Sequence, residues 1–387
     1  MSDRVVYLDN NATTAVAPEV FAEMRPYFSE LYGNPSSLHS FGGNVAHRLD
    51  EARARLAALL GADEGEIIFT SCGTESDATA IHSALESFAD KRHIVTSPVE
   101  HPAVLGLCEH FEDQGYRVTY LSLDDHGRLD LGELAQTITD DTAIVSLMHA
   151  NNETGVVFPL DDIAQIVKAR GCLLHTDAVQ SVGKLPLDLA DTPVDFLSLS
   201  GHKLHAPKGV GALFVRRGTA YAPLLLGGHQ EANKRAGTEN VASIIGLGKA
   251  AELAGQNMAE EQTRVRALRD RLQQELLARC PDTLVNGGDA PRLPNTLSVS
   301  FGYIEGESIT LMLDELGICV STGSACSSGS LEISHVIKSL RVPEMYAHGS
   351  IRFSLSRYNT EGEIDYVIEQ LPPIVSRLRE LSPYGRE

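Results

Sequence analysis

Several features are scarce in this chain, and each scarcity removes a class of function. Basic residues are outnumbered: 32 lysines and arginines stand against 52 aspartates and glutamates, giving a formal net charge of -20 and an isoelectric point near 5.1. Most of such a surface repels phosphate polyanions and anionic bilayers, which leaves small metabolites and proteins as partners. No apolar run approaches the roughly 18 residues that a membrane-spanning helix needs. The opening Met1-Ser2-Asp3-Arg4-Val5-Val6-Tyr7-Leu8 lacks the basic and apolar regions of a secretory signal. A cytoplasmic protein with no nucleic-acid or membrane partner is expected. The six cysteines, Cys72, Cys108, Cys172, Cys280, Cys319 and Cys326, contain no C-x-x-C pair, so neither a disulfide framework nor a zinc site is indicated. Internal repeats are missing too, and the only biased tract is a short Gly/Ser segment at 321–330.

What is there has the composition of a globular enzyme: 387 residues, 43% hydrophobic and 22% charged, enough for one large core and a second, smaller domain. Short β-like runs at 66–70, 93–96, 118–121, 143–148, 172–175, 196–199 and 212–215 alternate with helical patterns. This alternation predicts an α/β fold, a mainly parallel central sheet with helices on both faces, whose ligands bind beyond the carboxyl ends of the strands. From about Glu239 to Leu277, Val265, Leu268, Leu272 and Leu276 recur at helical spacing and predict a connecting spine. Strands at 295–301 and 350–356, with helices at 307–316 and 361–381, predict a smaller α+β domain.

Lys203 lies in Ser200-Gly201-His202-Lys203 just after one apolar run, and Asp177 closes an earlier one. A lysine and an aspartate leaving two strands are the groups a pyridoxal phosphate enzyme needs, one for the Schiff base and one for the pyridinium nitrogen. Most lysines in such places are solvated loop residues. Here Gly201 allows a tight backbone, Ser200 and His202 add donors, and Pro207-Lys208-Gly209 turns the chain into the next strand. Ser71-Cys72-Gly73-Thr74-Glu75-Ser76 precedes a helical pattern at 77–88 and reads either as a simple cap or, beside the lysine and aspartate, as a phosphate cup. His101 opens a helix before Pro102, where an imidazole is either structural or placed to stack on a ring and exchange protons. Asn152 follows the run at 143–148 as a turn residue or a ligand. Arg352 is either a solvated arginine on an open sheet face or a clamp for a carboxylate, and spacing does not decide. Cys326 sits in Gly323-Ser324-Ala325-Cys326-Ser327, too small and polar to pack a core, and reads as an exposed nucleophile. The other five cysteines read as packing or incidental thiols.

Motifs spread along the whole chain carry a resemblance. They are Tyr7-Leu8-Asp9-Asn10-Asn11-Ala12-Thr13-Thr14, Gly33-Asn34-Pro35-Ser36-Ser37, Ser71 to Ser76, Ala150-Asn151-Asn152-Glu153-Thr154-Gly155, Ser200 to Lys203, Arg235-Ala236-Gly237-Thr238-Glu239-Asn240, Gly323 to Cys326 and Leu381-Ser382-Pro383-Tyr384. The chain resembles the cysteine desulfurases, and the nitrogen-fixation type called NifS more closely than the housekeeping IscS type. The resemblance implies a fold-type I pyridoxal 5'-phosphate enzyme and a homodimer, with a large cofactor domain at 16–255 and a small domain from 1–15 and 256–387 that carries the Cys326 loop. It implies that Lys203 holds the cofactor as an internal aldimine, Asp177 pairs with the ring nitrogen, Gln180 bonds the ring hydroxyl and His101 stacks on the ring. Gly73, Thr74, Ser200 and His202 would hold the phosphate, with Thr238 reaching it from the other subunit. Asn11, Asn152 and Arg352 would position L-cysteine, and Cys326 would accept its sulfur for an iron-sulfur scaffold protein, with a transient cluster ligand as a further role. Three places depart from the family pattern: the arginines are thinned in Gln230-Glu231-Ala232-Asn233-Lys234-Arg235, Ser327 replaces a common threonine, and Ile333 stands where proline is frequent. The rivals are a selenocysteine lyase or another class V aminotransferase, which needs no nucleophilic cysteine, and a non-catalytic iron-sulfur scaffold.

Overall fold

The structure, a computed structural model, describes residues 5–322 and 333–383. Its main sheet has seven strands, in the order Ile67–Thr70, Gly211–Val215, Phe196–Ser200, Leu173–Asp177, Thr142–Ser146, His93–Thr96 and Arg117–Tyr120. Gly211–Val215 runs antiparallel to both its neighbours, and every other pairing is parallel. The mainly parallel sheet expected from the alternation is therefore what forms.

Side chains along a strand alternate between faces, and here they sort into two separate cores. Ile67, Phe69, Val145, Leu197 and Phe214 pack with Leu49 and Leu56 of the helix Ser40–Leu60 and with Ile244 and Leu247 of the helix Val241–Glu260. Ile68, Ile144, Phe196, Leu213 and Val215 pack on the other side with Ala80, Ile81 and Ala84 of the helix Gly73–Ser87 and Val104, Cys108 and Phe111 of the helix Pro102–Asp113. With both faces covered, Thr142–Ser146, Phe196–Ser200 and Gly211–Val215 are buried at every residue, which explains their predominantly apolar character. Arg117–Tyr120 lies at the edge and is exposed at both ends.

The spine runs without a break through Val241–Glu260, a π-helical turn at Glu261–Val265 and Arg266–Arg279. The periodicity predicted the helix but not the π turn. A third core gathers Leu268, Leu272, Leu297, Phe301, Phe353, Val367 and Leu371 with Val6 and Leu8 from the start of the chain. It is built on an antiparallel sheet in the order Ser321–Thr322, Ser350–Ser354, Thr296–Phe301 and Thr283–Val285. Val6–Tyr7 pairs in parallel with Ile318–Cys319, and Asp9 bridges to Ser354, so the first residues are woven into the last third of the chain.

Most element ends differ from the sequence pattern by a residue or two, and three of the differences have a local cause. The helix after Ile67–Thr70 begins at Gly73 rather than 77, because its first turn is polar and carries no apolar period. The strands expected at 143–148 and 350–356 stop at Ser146 and Ser354, where backbone donors turn to side chains: Met148 N–H to Glu100 and Ser356 N–H to Asn359. Among the described residues, no helix is long and apolar enough to cross a membrane.

Candidate active site

The carboxyl ends of five strands open onto one cavity of about 220 Å3. Cys72, Gly73 and Thr74 follow Ile67–Thr70, His101 follows His93–Thr96, and Met148 and Asn152 follow Thr142–Ser146. Asp177, Val179 and Gln180 come from the end of Leu173–Asp177, and Ser200, His202 and Lys203 from the end of Phe196–Ser200. Asn11, Ala12 and Arg352 close the wall from the smaller sheet's side. All the residues singled out from sequence meet here except Thr238 and Cys326. Thr238 is exposed and does not line this cavity, and Cys326 falls outside the described residues.

Lys203 sits on a single 3-10 turn, Gly201–Lys203, and is half-buried. Its Nζ donates to the carbonyls of Asn11 and Ala12, the latter at 2.8 Å. The same N-terminal segment braces the turn further: Thr14 N–H and its hydroxyl both donate to the His202 carbonyl at 3.0 Å, and Thr13 Oγ1 lies 3.1 Å from His202 Nδ1. Burial, then the nearby Lys203 cation, pushes His202 down to about 4, so its imidazole is neutral near pH 7. His101 caps its helix by accepting from Ala103 N–H at Nδ1, 3.1 Å away, which leaves the proton on Nε2 and fixes the ring.

Asp177 is 7% exposed, and its Oδ1 accepts Val179 N–H at 2.8 Å. Burial raises its pKa, and the neighbouring Asp77 raises it further. Asp77, on the helix Gly73–Ser87, is 1% exposed and lines the same cavity. It was not picked out from sequence, although it shares the buried stripe of Gly73, Ala80 and Ala84 at helical spacing, where a carboxylate is out of place. Behind Asp177, His175 lies between Ser146 (2.8 Å) and Ser198 (2.9 Å), and burial holds it neutral, down at about 4. Glu100 accepts from Ser97 Oγ and Met148 N–H, its Oε2 is buried without a partner, and burial pushes it up to about 8.

At the start of the helix Gly73–Ser87 no side chain caps the first turn, so its N–H groups and the helix dipole are left for an anion. A Cβ on Gly73 would meet Val179 Cγ2 at 2.8 Å, so a side chain would crowd this corner. Glu75 does not oppose an anion freely, since Arg235 Nε holds it at 2.8 Å and Ser71 N–H also donates to it. Cys72, read from sequence as a packing or incidental thiol, is half-buried and lines the cavity.

Arg352 is 4% exposed, which excludes the solvated sheet-face reading. Its Nη2 meets Asp9 at 2.8 Å and its Nη1 the Asn152 carbonyl at 3.0 Å, while Nε has no partner. A buried guanidinium needs such a counter-charge. The Asn151 side chain accepts from Glu153 N–H, Thr154 N–H and the Thr154 hydroxyl, building the turn that presents Asn152. Asn11 is spent on the protein: its Nδ2 donates to Asn152 O and Thr296 Oγ1, and its Oδ1 accepts from Asn295. What Asn11 offers the cavity is its backbone carbonyl, which also accepts from Gln180 Nε2 at 3.1 Å. Ser334 donates to Glu153 at 2.6 Å.

Known proteins with this arrangement are numerous. The model of the aminotransferase class-V family matches residues 6–367. A cysteine desulfurase of Trichormus azollae is 58% identical over 383 residues, 99% of this chain and 96% of that one. The cysteine desulfurase NifS of Azotobacter vinelandii is 57% identical over 380 residues, 98% of this chain and 94% of that one. A solved NifS-like protein superposes with a TM-score of 0.91 at 40% identity, covering 97% of this chain and all of that one.

The chain belongs to the class-V aminotransferases, among the NifS-type cysteine desulfurases. Enzymes of this family work with pyridoxal 5'-phosphate, and the cavity's own chemistry fits that group. The uncapped helix start beside Gly73 suits its phosphate, and the buried Asp177 carboxylate suits a ring nitrogen. Gln180, whose Oε1 is buried without a partner, suits the ring hydroxyl, and Lys203 suits the aldehyde.

Two outcomes follow for this desulfurase. Gly73→Val should weaken pyridoxal phosphate binding about tenfold or more, a cost of about 1.4 kcal/mol, in a titration of the cofactor-free protein; unchanged affinity would remove the helix start from the site. Glu100 has a folded pKa of about 8, above its unfolded value, so its contribution is fully present in acid and is lost as pH rises through about 8. Relative to wild type, Glu100→Gln should therefore gain unfolding free energy in denaturant between about pH 5 and about pH 8. A pH-independent difference between the two would contradict this assignment.

Proposed function

We propose that this chain is a pyridoxal phosphate-dependent cysteine desulfurase that converts L-cysteine to L-alanine and leaves the sulfur as a persulfide on Cys326. The observation that carries the reading is the meeting of Lys203, Asp177 and the buried Arg352 in one cavity. A solved relative described as SspA in complex with cysteine, 34% identical with a TM-score of 0.81 over 92% of this chain and 99% of that one, supports the choice of amino acid.

When bound, the cofactor supplies an electron sink for the pair of electrons left when the α-proton departs. Arg352, held in place by Asp9, grips the substrate carboxylate, and Asn152 sets the substrate's orientation from the turn that Asn151 builds. Lys203, which would hold the cofactor, would supply through its Nζ the base that takes the α-proton and the acid that returns a proton to carbon. Asp177 would pair with the ring nitrogen and, when ionised, favour its protonated form. His101, whose Nδ1 is taken by Ala103 N–H, would present Nε2 to the cavity and exchange protons with the leaving sulfur. The Cys326 thiolate attacks the substrate sulfur: an S–S bond forms, the C–S bond breaks, and its electron pair returns to the substrate carbon. The balance is L-cysteine plus thiol giving L-alanine plus persulfide, with no outside oxidant.

The working form on this reading is a homodimer in the cytoplasm. Thr238, exposed and not lining its own chain's cavity, would serve a partner's phosphate, and exposed apolar side chains such as Phe28, Tyr32 and Leu226 support pairing of copies. The acceptor of the sulfur is an iron-sulfur scaffold protein, in a nitrogenase-maturation setting suggested by the NifS relatives.

Mass spectrometry after incubation with L-cysteine should find added sulfur on the peptide bearing Cys326, together with free alanine. Cys326→Ala should lower desulfuration by about a hundredfold or more, about 2.7 kcal/mol in barrier. Full turnover by that variant would favour the aminotransferase or selenocysteine lyase reading, and a colourless protein that yields no alanine would favour the scaffold.

A further inference from the structure

The segment from Leu225 to Glu239 is pinned to the rest of the fold through a buried ion pair. The Glu231 side chain is 5% exposed, although Leu225 to His229 and Gly237 to Thr238 are exposed on either side of it. Its Oε1 accepts from Arg53 Nη2 at 2.8 Å, and its Oε2 accepts from Arg53 Nη1 at 2.8 Å and from Phe69 N–H at 2.9 Å. Arg53, on the helix Ser40–Leu60, also donates to the Ile67 carbonyl at 2.8 Å and lies 4.6 Å over the Phe69 ring. A bidentate pair of this kind fixes orientation as well as distance. What it holds is unfavourable backbone: Glu231, Ala232 and Asn233 are consecutive left-handed residues, at φ 46°, 53° and 69°. A lone left-handed asparagine is ordinary in a loop, whereas glutamate and alanine adopt this conformation only under constraint.

Further ties run from this turn toward Thr238. Gln230 Oε1 accepts from Gly237 N–H at 3.2 Å, closing the loop on itself one residue before Thr238. Arg235 Nε reaches Glu75 at 2.8 Å, and the Lys234 carbonyl accepts from the Tyr221 hydroxyl at 2.7 Å. Thr238 itself is exposed and does not line its own chain's cavity, so a rigid mount for it serves nothing in that cavity. We infer that Glu231, through Arg53, is a positioning residue that acts across the dimer: the buried pair holds the left-handed turn, and with it Gln230 and Gly237, so that Thr238 is presented to the partner's phosphate site. The rival is a role within the chain, because Phe69 belongs to the strand Ile67–Thr70 that leads into the Gly73 corner. The inference rests on the reading that copies pair and that Thr238 serves the partner's phosphate, and it adds the residues that keep Thr238 in place.

Heterodimers purified through two different affinity tags separate these alternatives. One subunit carries Lys203→Ala, so that only the other can bond pyridoxal phosphate, and Glu231→Gln is placed on either subunit. The readout is the pyridoxyl label that borohydride traps on the surviving Lys203 as pyridoxal phosphate is titrated into cofactor-free protein. With Glu231→Gln on the Lys203→Ala subunit, the surviving site receives the altered loop, and half-labelling should need about fivefold more pyridoxal phosphate or beyond. With Glu231→Gln on the subunit that keeps Lys203, half-labelling should match the heterodimer that has Lys203→Ala alone. The reverse pattern, equal loss in both arrangements, or no loss in either would overturn the inference. Gln230→Ala leaves the buried pair intact, frees Gly237 and should give the same asymmetry, so it decides the matter where Glu231→Gln does not fold. Failure of the pairing reading looks different: wild type then sediments as a monomer while holding its cofactor, and the inference falls with it.

Discussion

Asp177 and Ser198 are register partners on two adjacent parallel strands, Leu173–Asp177 and Phe196–Ser200, and this one pairing fixes the separation of the acid from the lysine five residues beyond Ser198. Everything else in the site is placed relative to it. Gly211, opposite Ser200 on the antiparallel neighbour, has no room for a Cβ, which would meet Cys72 C and Leu199 O at 2.8 Å. The same ladder therefore seats the helix start against the lysine strand. A parallel sheet delivers five strand ends to one edge without further design, which is why the site lies there.

Much of the site's lining is buried, and its electrostatics follow from that. Burial raises the pKa values of Asp77, Asp177, Glu100 and Glu153 in and behind the wall and lowers those of His149, His175 and His202, so charge there is costly in either sign. Unpartnered oxygens on Asp77, Glu100 and Gln180 mark places where stability has been given up. Arg352 is the counter-case, a buried cation that Asp9 neutralises from the far end of the chain. The arrangement reserves charge and hydrogen-bonding capacity for a ligand.

Much of this was legible from local pattern. Mainly apolar runs at 143–148 and 196–199 gave away buried parallel strands, and the position of polar motifs after those runs gave away the shared edge. The Lys203 and Asp177 pair needed no more than that. What local pattern does not carry is contact across long separations. Asn11 to Thr14 brace the Lys203 turn from some 190 residues away, and Asp9 decides the state of Arg352, whose alternation with Ser354 looked like an open sheet face. Asp77 was legible in principle, as a carboxylate in a helix's buried stripe, but a single polar residue in an amphipathic pattern is ordinary until its neighbours are known.

The central claim is that one amine, Lys203, meets the cofactor opposite Asp177. Reduction of the coloured protein with borohydride, followed by peptide mapping, tests it most directly. The account predicts that the pyridoxyl label is found on Lys203 alone, and label on Lys184, Lys208 or spread over surface lysines would contradict it.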